Sequence, residues 1–161
     1  MFTHHPTNKY IGVKVLIQGQ LTDSEKIILL FLYDWDRPIR IGDIYQILDM
    51  KYNYNQSQQN LNYFIKKLRK YQYLKWQPHG RVELLESGKE QALHISWHKH
   101  LLERYFRETL DLNEDQIKIE ALRLTPVVSC SFINALVKKF HFENCDLKEK
   151  INSTKLCKDD S

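Results

Sequence analysis

Apolar residues recur at Leu61, Phe64, Ile65, Leu68 and Tyr71, the spacing of one face of a helix. Polar residues fill the positions between them. Upstream, Thr22 followed three residues later by Glu25 makes a capping box, and the run IILLFLYDW behind it is apolar on almost every side through Leu32. That helix belongs at the centre of a core, and Asp36-Arg37-Pro38 stops it. Ile39-Arg40-Ile41 reads as a short link. Gly42-Asp43 then starts a second helix with Ile44, Ile47 and Leu48 inward, and the polar segment KYNYN leads into the helical stretch from Asn55 to Leu74. Helix, short helix, turn and polar-fronted amphipathic helix is the order of a helix-turn-helix.

Downstream, two short extended runs flank Pro78-His79-Gly80-Arg81, which predicts a β-hairpin with His79 and Arg81 at its tip. A hairpin after such a helix is the wing of a winged helix. Ser87-Gly88-Lys89 opens a long helix to about Thr109, with Ile95, Leu101, Leu102, Tyr105 and Phe106 as its apolar stripe. Asn113 with Gln116 at the third position forms a second capping box, and that helix ends at Thr125 because Pro126 disfavours helix in the residue before it. Val127 to Phe142 gives a last helix. Tyr10 to Ile17 is β-branched and reads as a short strand or an arm over a partner, and Ser153 to Ser161 reads as a frayed polar end. The expected fold is mostly α. Residues 1–20 form an arm, 21–86 a winged helix-turn-helix, 87–143 a helical dimerisation region, and 144–161 a tail.

Charge gives the central helix a direction. From Lys51 to Val82 there are seven Lys and Arg and no Asp or Glu; the whole chain carries +4, so the remainder sums to −3. Basic charge gathered on one segment is the footprint of a surface that faces phosphates. The front of the segment carries Asn55, Gln56, Ser57, Gln58, Gln59, Asn60 and Asn62, short amides and a hydroxyl of the kind that read base edges. With Tyr63, the cations Lys66, Lys67 and Lys70, and His79 and Arg81 of the wing, these are the expected contacts to double-stranded DNA. A solvated amphipathic helix, or a winged helix docking an acidic protein, is the competing reading.

The remaining composition narrows the classes. A chain of 161 residues with 42% apolar content has room for one domain with a proper core, or for a small domain plus a dimerising extension. No run approaches the length of a membrane span, and MFTHHPTNKY has no cationic segment followed by an apolar one, so a cytoplasmic protein is expected. The three cysteines, Cys130, Cys145 and Cys157, lack CxxC spacing, which argues against a disulfide framework or a zinc knuckle. Cys130 reads as a core thiol, and Trp35, Trp76 and Trp97 as core or dimer-contact aromatics. No serine–histidine–aspartate order with supporting glycines and no phosphate loop is present, so an enzyme is not expected.

The stretch from about Leu61 to Phe140 resembles the diphtheria-toxin-repressor family of iron- and manganese-dependent transcriptional regulators. LNYFIKKLRKYQYL, the wing and LLESGKE carry the resemblance, followed by KHLLERYF, LDL, EALRL and VVS in the family's order. The resemblance implies a winged helix followed by a helical dimerisation and metal-binding domain, acting as a homodimer on palindromic operators. The chain departs from the family at the metal ligands. A family His falls on Lys99, with the Glu four residues on kept as Glu103, and a second His falls on Lys118. The main cluster falls on Leu122, Thr125 and Pro126, and the acidic ligand of the first helix falls near Asp23 or Lys26.

These departures predict a repressor that needs no cofactor and no divalent metal. Lys99 or Lys118, paired with Glu103 or Glu120, would stand where a metal's charge would have stood. The expected dimer contacts are the helix from Gly88 to Thr109 with Leu110, Leu112, Ile117 and Leu124. His94 and His98, at i and i+4 on one helix face, form the alternative: a relocated metal site with His79 as a third ligand. Ordinary surface histidines are the plainer reading of that pair.

Overall fold

A computed structural model describes residues 20–52, 54 and 56–142. Its elements run α1 (Asp23–Trp35), β1 (Ile39–Arg40), α2 (Ile41–Tyr52), α3 (Gln58–Lys70), β2 (Leu74–Lys75), β3 (Arg81–Leu84), α4 (Glu86–Thr109), α5 (Glu114–Leu124) and α6 (Cys130–Phe140). The fold is the mostly helical winged helix-turn-helix with further helices that the periodicity predicted. The expectations for Tyr10–Ile17, for Asn55 and for residues 143–161 lie outside the described residues.

Local chemistry sets the helix ends. Thr22 and Glu25 close the capping box of α1, and Asn113 and Gln116 close that of α5. Asp36 takes a left-handed conformation (φ 51°) and its N–H bonds to the Leu32 carbonyl, which ends α1 before Pro38. α3 begins later than Asn55, because the Ser57 hydroxyl accepts from the Asn60 N–H at 3.1 Å and fixes Ser57 as the cap. α6 likewise begins at Cys130 rather than Val127. The N–H groups of Val127 and Val128 both bond to the Leu124 carbonyl, and Ser129 caps the helix through the Phe132 N–H.

The sheet has an extra strand. Ile39-Arg40, expected as a link, is β1, and the order is β1-β3-β2 with both pairings antiparallel. Ile39 faces Val82, and Leu74 faces Leu84, which puts all four side chains in the core. Two residues show no alternation, so this strand leaves no periodic signal. The wing is locked onto α4 at Gly88. A methyl group there would lie 1.9 Å from the Tyr73 carbonyl oxygen, so only glycine permits the approach.

Two hydrophobic cores result among the described residues. The first joins α1, α2, α3 and the sheet around Ile28, Leu29, Leu48, Leu61, Ile65 and Val82, and takes Ala92 and Ile95 from α4. The second joins α4, α5 and α6 around Leu101, Leu102, Ile117, Ala121, Ile133 and Phe142, and begins on α4 at Trp97. α4 is therefore the shared spine, and the join falls between Ile95 and Trp97. Each fully buried Leu or Ile contributes about 1.5–3 kcal/mol over an exposed one. Ile117, expected at a dimer interface, is 2% exposed and belongs to the second core.

Candidate nucleic-acid interface

α3 presents two faces. Leu61, Ile65 and Leu68 are buried against the first core. Gln58, Gln59, Asn60, Tyr63, Lys66, Arg69 and Lys70 are exposed, and Gln56 and Asn62 are half-buried. Gln59, Tyr63, Lys66 and Lys70 follow i, i+3/i+4 steps, so amide, phenol and two ammoniums line one outward stripe. The Asn60 amide donates to the Gln56 side-chain oxygen at 2.9 Å, which orients both at the front of the helix. Arg69, a cation of this window that the sequence reading left out of the DNA contacts, is exposed beside Lys70.

Lys67 does something else. Its ammonium lies 2.8 Å from Oε1 of Glu25, whose side chain is fully buried. The hydrogen bond to Glu25 raises the Lys67 pKa above its ordinary value. Lys67 is thus the counter-ion of a buried carboxylate that also caps α1. At the wing, His79 is exposed with φ 63°, and the Gly80 N–H closes the turn onto the Gln77 carbonyl at 2.8 Å. Arg81 is exposed and its guanidinium donates to the Pro38 carbonyl at 3.2 Å, which holds it against the α1–β1 link.

In the C-terminal helices, the Lys99 ammonium lies 3.4 Å from Glu103, one turn along α4, with both side chains largely covered. Lys118 is exposed, and Glu120 pairs with Arg123 at 2.7 Å. Thr125 is buried with its hydroxyl donating to the Ala121 carbonyl at 2.7 Å, and Lys26 of α1 donates to the Pro126 carbonyl. His94 and His98 converge on Cys130. The sulfur lies 3.4 Å from His94 Nε2 and 3.7 Å from His98 Nε2. His98 is buried rather than on the surface, and Cys130 is half-buried against the two imidazoles rather than a core thiol. Desolvation by burial lowers both histidine pKa values, that of His98 to about 3, so both rings are neutral near pH 7.

Residues 85–151 match the family described as iron dependent repressor, metal binding and dimerisation domain. Over this stretch the chain is similar to the iron-dependent repressors. Its fold is similar to the crystal structure of T. acidophilum IdeR, with a TM-score of 0.57 at 17% identity. The match covers 78% of this chain and 57% of that one, so the chain spans little more than half the length of that relative. No curated protein sequence matches the chain. No helix among the described residues is long and apolar enough to cross a membrane.

Metal binding is part of the domain's own description, so the expectation that this chain works without metal finds no support in the match. Apart from Glu103 and Asp23, the positions where the resemblance places ligands nevertheless do not fit an ion. Lys99 and Lys118 offer ammoniums, the Thr125 hydroxyl is spent on Ala121, and the Pro126 carbonyl already accepts from Lys26. His79, expected as a third ligand beside His94 and His98, sits at the exposed wing tip, and Cys130 takes that place instead. The join of α4 to α6 brings it there across a sequence separation of 36.

Proposed function

We propose that the chain is a homodimeric, sequence-specific DNA-binding transcriptional regulator, with residues 21–86 binding the duplex and 87–143 forming the dimer. The observation that carries this reading is the outward stripe of α3. Amides lead it, Lys66 and Lys70 follow, and no acidic residue stands between Lys51 and Val82. In the major groove, Gln58, Gln59, Asn60 and Asn62 meet base edges and Lys66 and Lys70 meet phosphates, with His79 and Arg81 of the wing beside the backbone. Two-fold symmetry supplies the second half-site. Leu110 and Leu124, two of the expected dimer contacts, are exposed at 44% and 42%, and Ile119, Val127 and Phe132 extend the same chemistry.

Binding to random and genomic duplexes across a salt series tests the reading. Affinity falls steeply with salt, and Gln59→Ala changes sequence preference, at a cost of about 1–3 kcal/mol at one base pair. Salt-insensitive binding, or no binding to any duplex, refutes it and favours an acidic protein as the partner of α3.

A further inference from the structure

We propose that His94, His98 and Cys130 form a binding site for a thiophilic transition-metal ion of the zinc class. The proposal departs from the ligand positions the family resemblance implies, and it does not rest on the DNA reading. The three ligand atoms lie within 4.8 Å of one another. Zinc–nitrogen and zinc–sulfur bonds of ordinary length at a tetrahedral angle place a nitrogen and a sulfur ligand roughly 3.5 Å apart. The two distances from Cys130 Sγ, 3.4 and 3.7 Å, straddle that edge. A thiol has one proton and bonds one imidazole nitrogen with it, whereas one ion binds both nitrogens and the sulfur together.

The framework is rigid. His94 and His98 are one turn apart on the long helix α4, with ring centroids 4.5 Å apart, and Cys130 is the first residue of α6. The cluster sits where α4 passes from one core to the other, between Ile95 and Trp97. An ion there ties α6 to the spine at the junction of the two cores.

The donor set also selects the ion. One sulfur and two imidazoles suit Zn²⁺ and Cu⁺, and the trio offers no carboxylate to a hard ion such as Mn²⁺. Lys26 is close enough to act on both imidazoles and repels added positive charge. The thiolate offsets that repulsion: on binding, the Cys130 thiol gives its proton to solvent as the metal–sulfur bond forms, and the imidazoles bind as neutral rings. Three protein ligands leave a fourth tetrahedral position for water or an added ligand.

The test is a titration of the reduced, metal-stripped full chain with Co²⁺, then Zn²⁺, without DNA. We expect one ion per chain, with a thiolate-to-cobalt charge-transfer band in the near ultraviolet and the strong visible bands of tetrahedral cobalt, bleached by zinc. Cys130→Ser removes the charge-transfer band and weakens zinc at least tenfold. His98→Gln weakens zinc at least tenfold, and the half-buried His94→Gln gives the same reading should the first variant not fold. Cys145→Ser combined with Cys157→Ser keeps the band. No retained cobalt, a band that survives Cys130→Ser or vanishes in the double variant, or manganese displacing zinc at equal concentration overturns the proposal. Failure to bind DNA would refute the proposed function and leave this result standing.

Discussion

The two hydrophobic cores meet their surroundings in different ways. Around the first, α1, α2, α3 and the sheet bury most of their large apolar side chains, with Met50 and Tyr63 exposed, and α3 turns amides and ammoniums outward. Its buried carboxylate, Glu25, is answered by Lys67 at 2.8 Å. Around the second, α5, α6 and the link between them leave Ile119, Leu124, Val127 and Phe132 between 42% and 60% exposed. The first region offers charge along α3, whereas the second gathers exposed apolar side chains on neighbouring segments. A charged face suits a solvated polyanion, and an apolar face suits a second copy of the chain.

The sharpest way to break this comparison lies at the buried carboxylate. Lys67→Ala strands Glu25 and should cost about 3 kcal/mol of stability, the low end for a buried pair because the lysine is partly exposed. Urea unfolding measures it, and Glu25→Gln in the same chain should recover part of the loss. A Lys67→Ala chain of unchanged stability would make Lys67 an ordinary surface cation. Next in size is Gly88→Ala, which drives a methyl into the Tyr73 carbonyl and should cost about 2–3 kcal/mol, read as a lowered thermal midpoint.

The apolar region is probed by Leu124→Glu and Phe132→Glu. Each should weaken the dimer at least tenfold, about 1.4 kcal/mol, in sedimentation equilibrium, with monomer stability changed by less than about 0.5 kcal/mol. A dimer indifferent to both places the interface elsewhere. Asn113→Ala removes the α5 cap and should cost about 1 kcal/mol in the same unfolding assay. The smallest effect on stability, within about 0.5 kcal/mol, is expected from Lys66→Ala and Lys70→Ala. Each should instead lower the salt slope of DNA binding by about one, uniformly across sequences. A large stability loss in either would erase the distinction between them and Lys67.

Unlike the starts of α3 and α6, the starts of α1 and α5, the stop of α1, the wing turn and the buried face of α3 were legible in the sequence. The interactions behind them span four residues or fewer: the Thr22–Glu25 and Asn113–Gln116 boxes, the pause at Pro38, and the recurrence of Leu61, Ile65 and Leu68. The outward chemistry of α3 followed from the same period. Contacts between distant segments were decided only in the folded chain. β1 exists because Ile39 and Arg40 find partners on β3, and Ile117 is buried because α5 packs against α4. Lys66 and Lys67 are neighbours of one type, yet a rotation of about 100° along the helix turns one to solvent and the other onto Glu25. His94 and His98 announced a face, but their companion Cys130 arrives on another helix, 36 residues from His94. Local sequence fixes which way a side chain leaves its own helix, and only the packing of helices fixes what it meets.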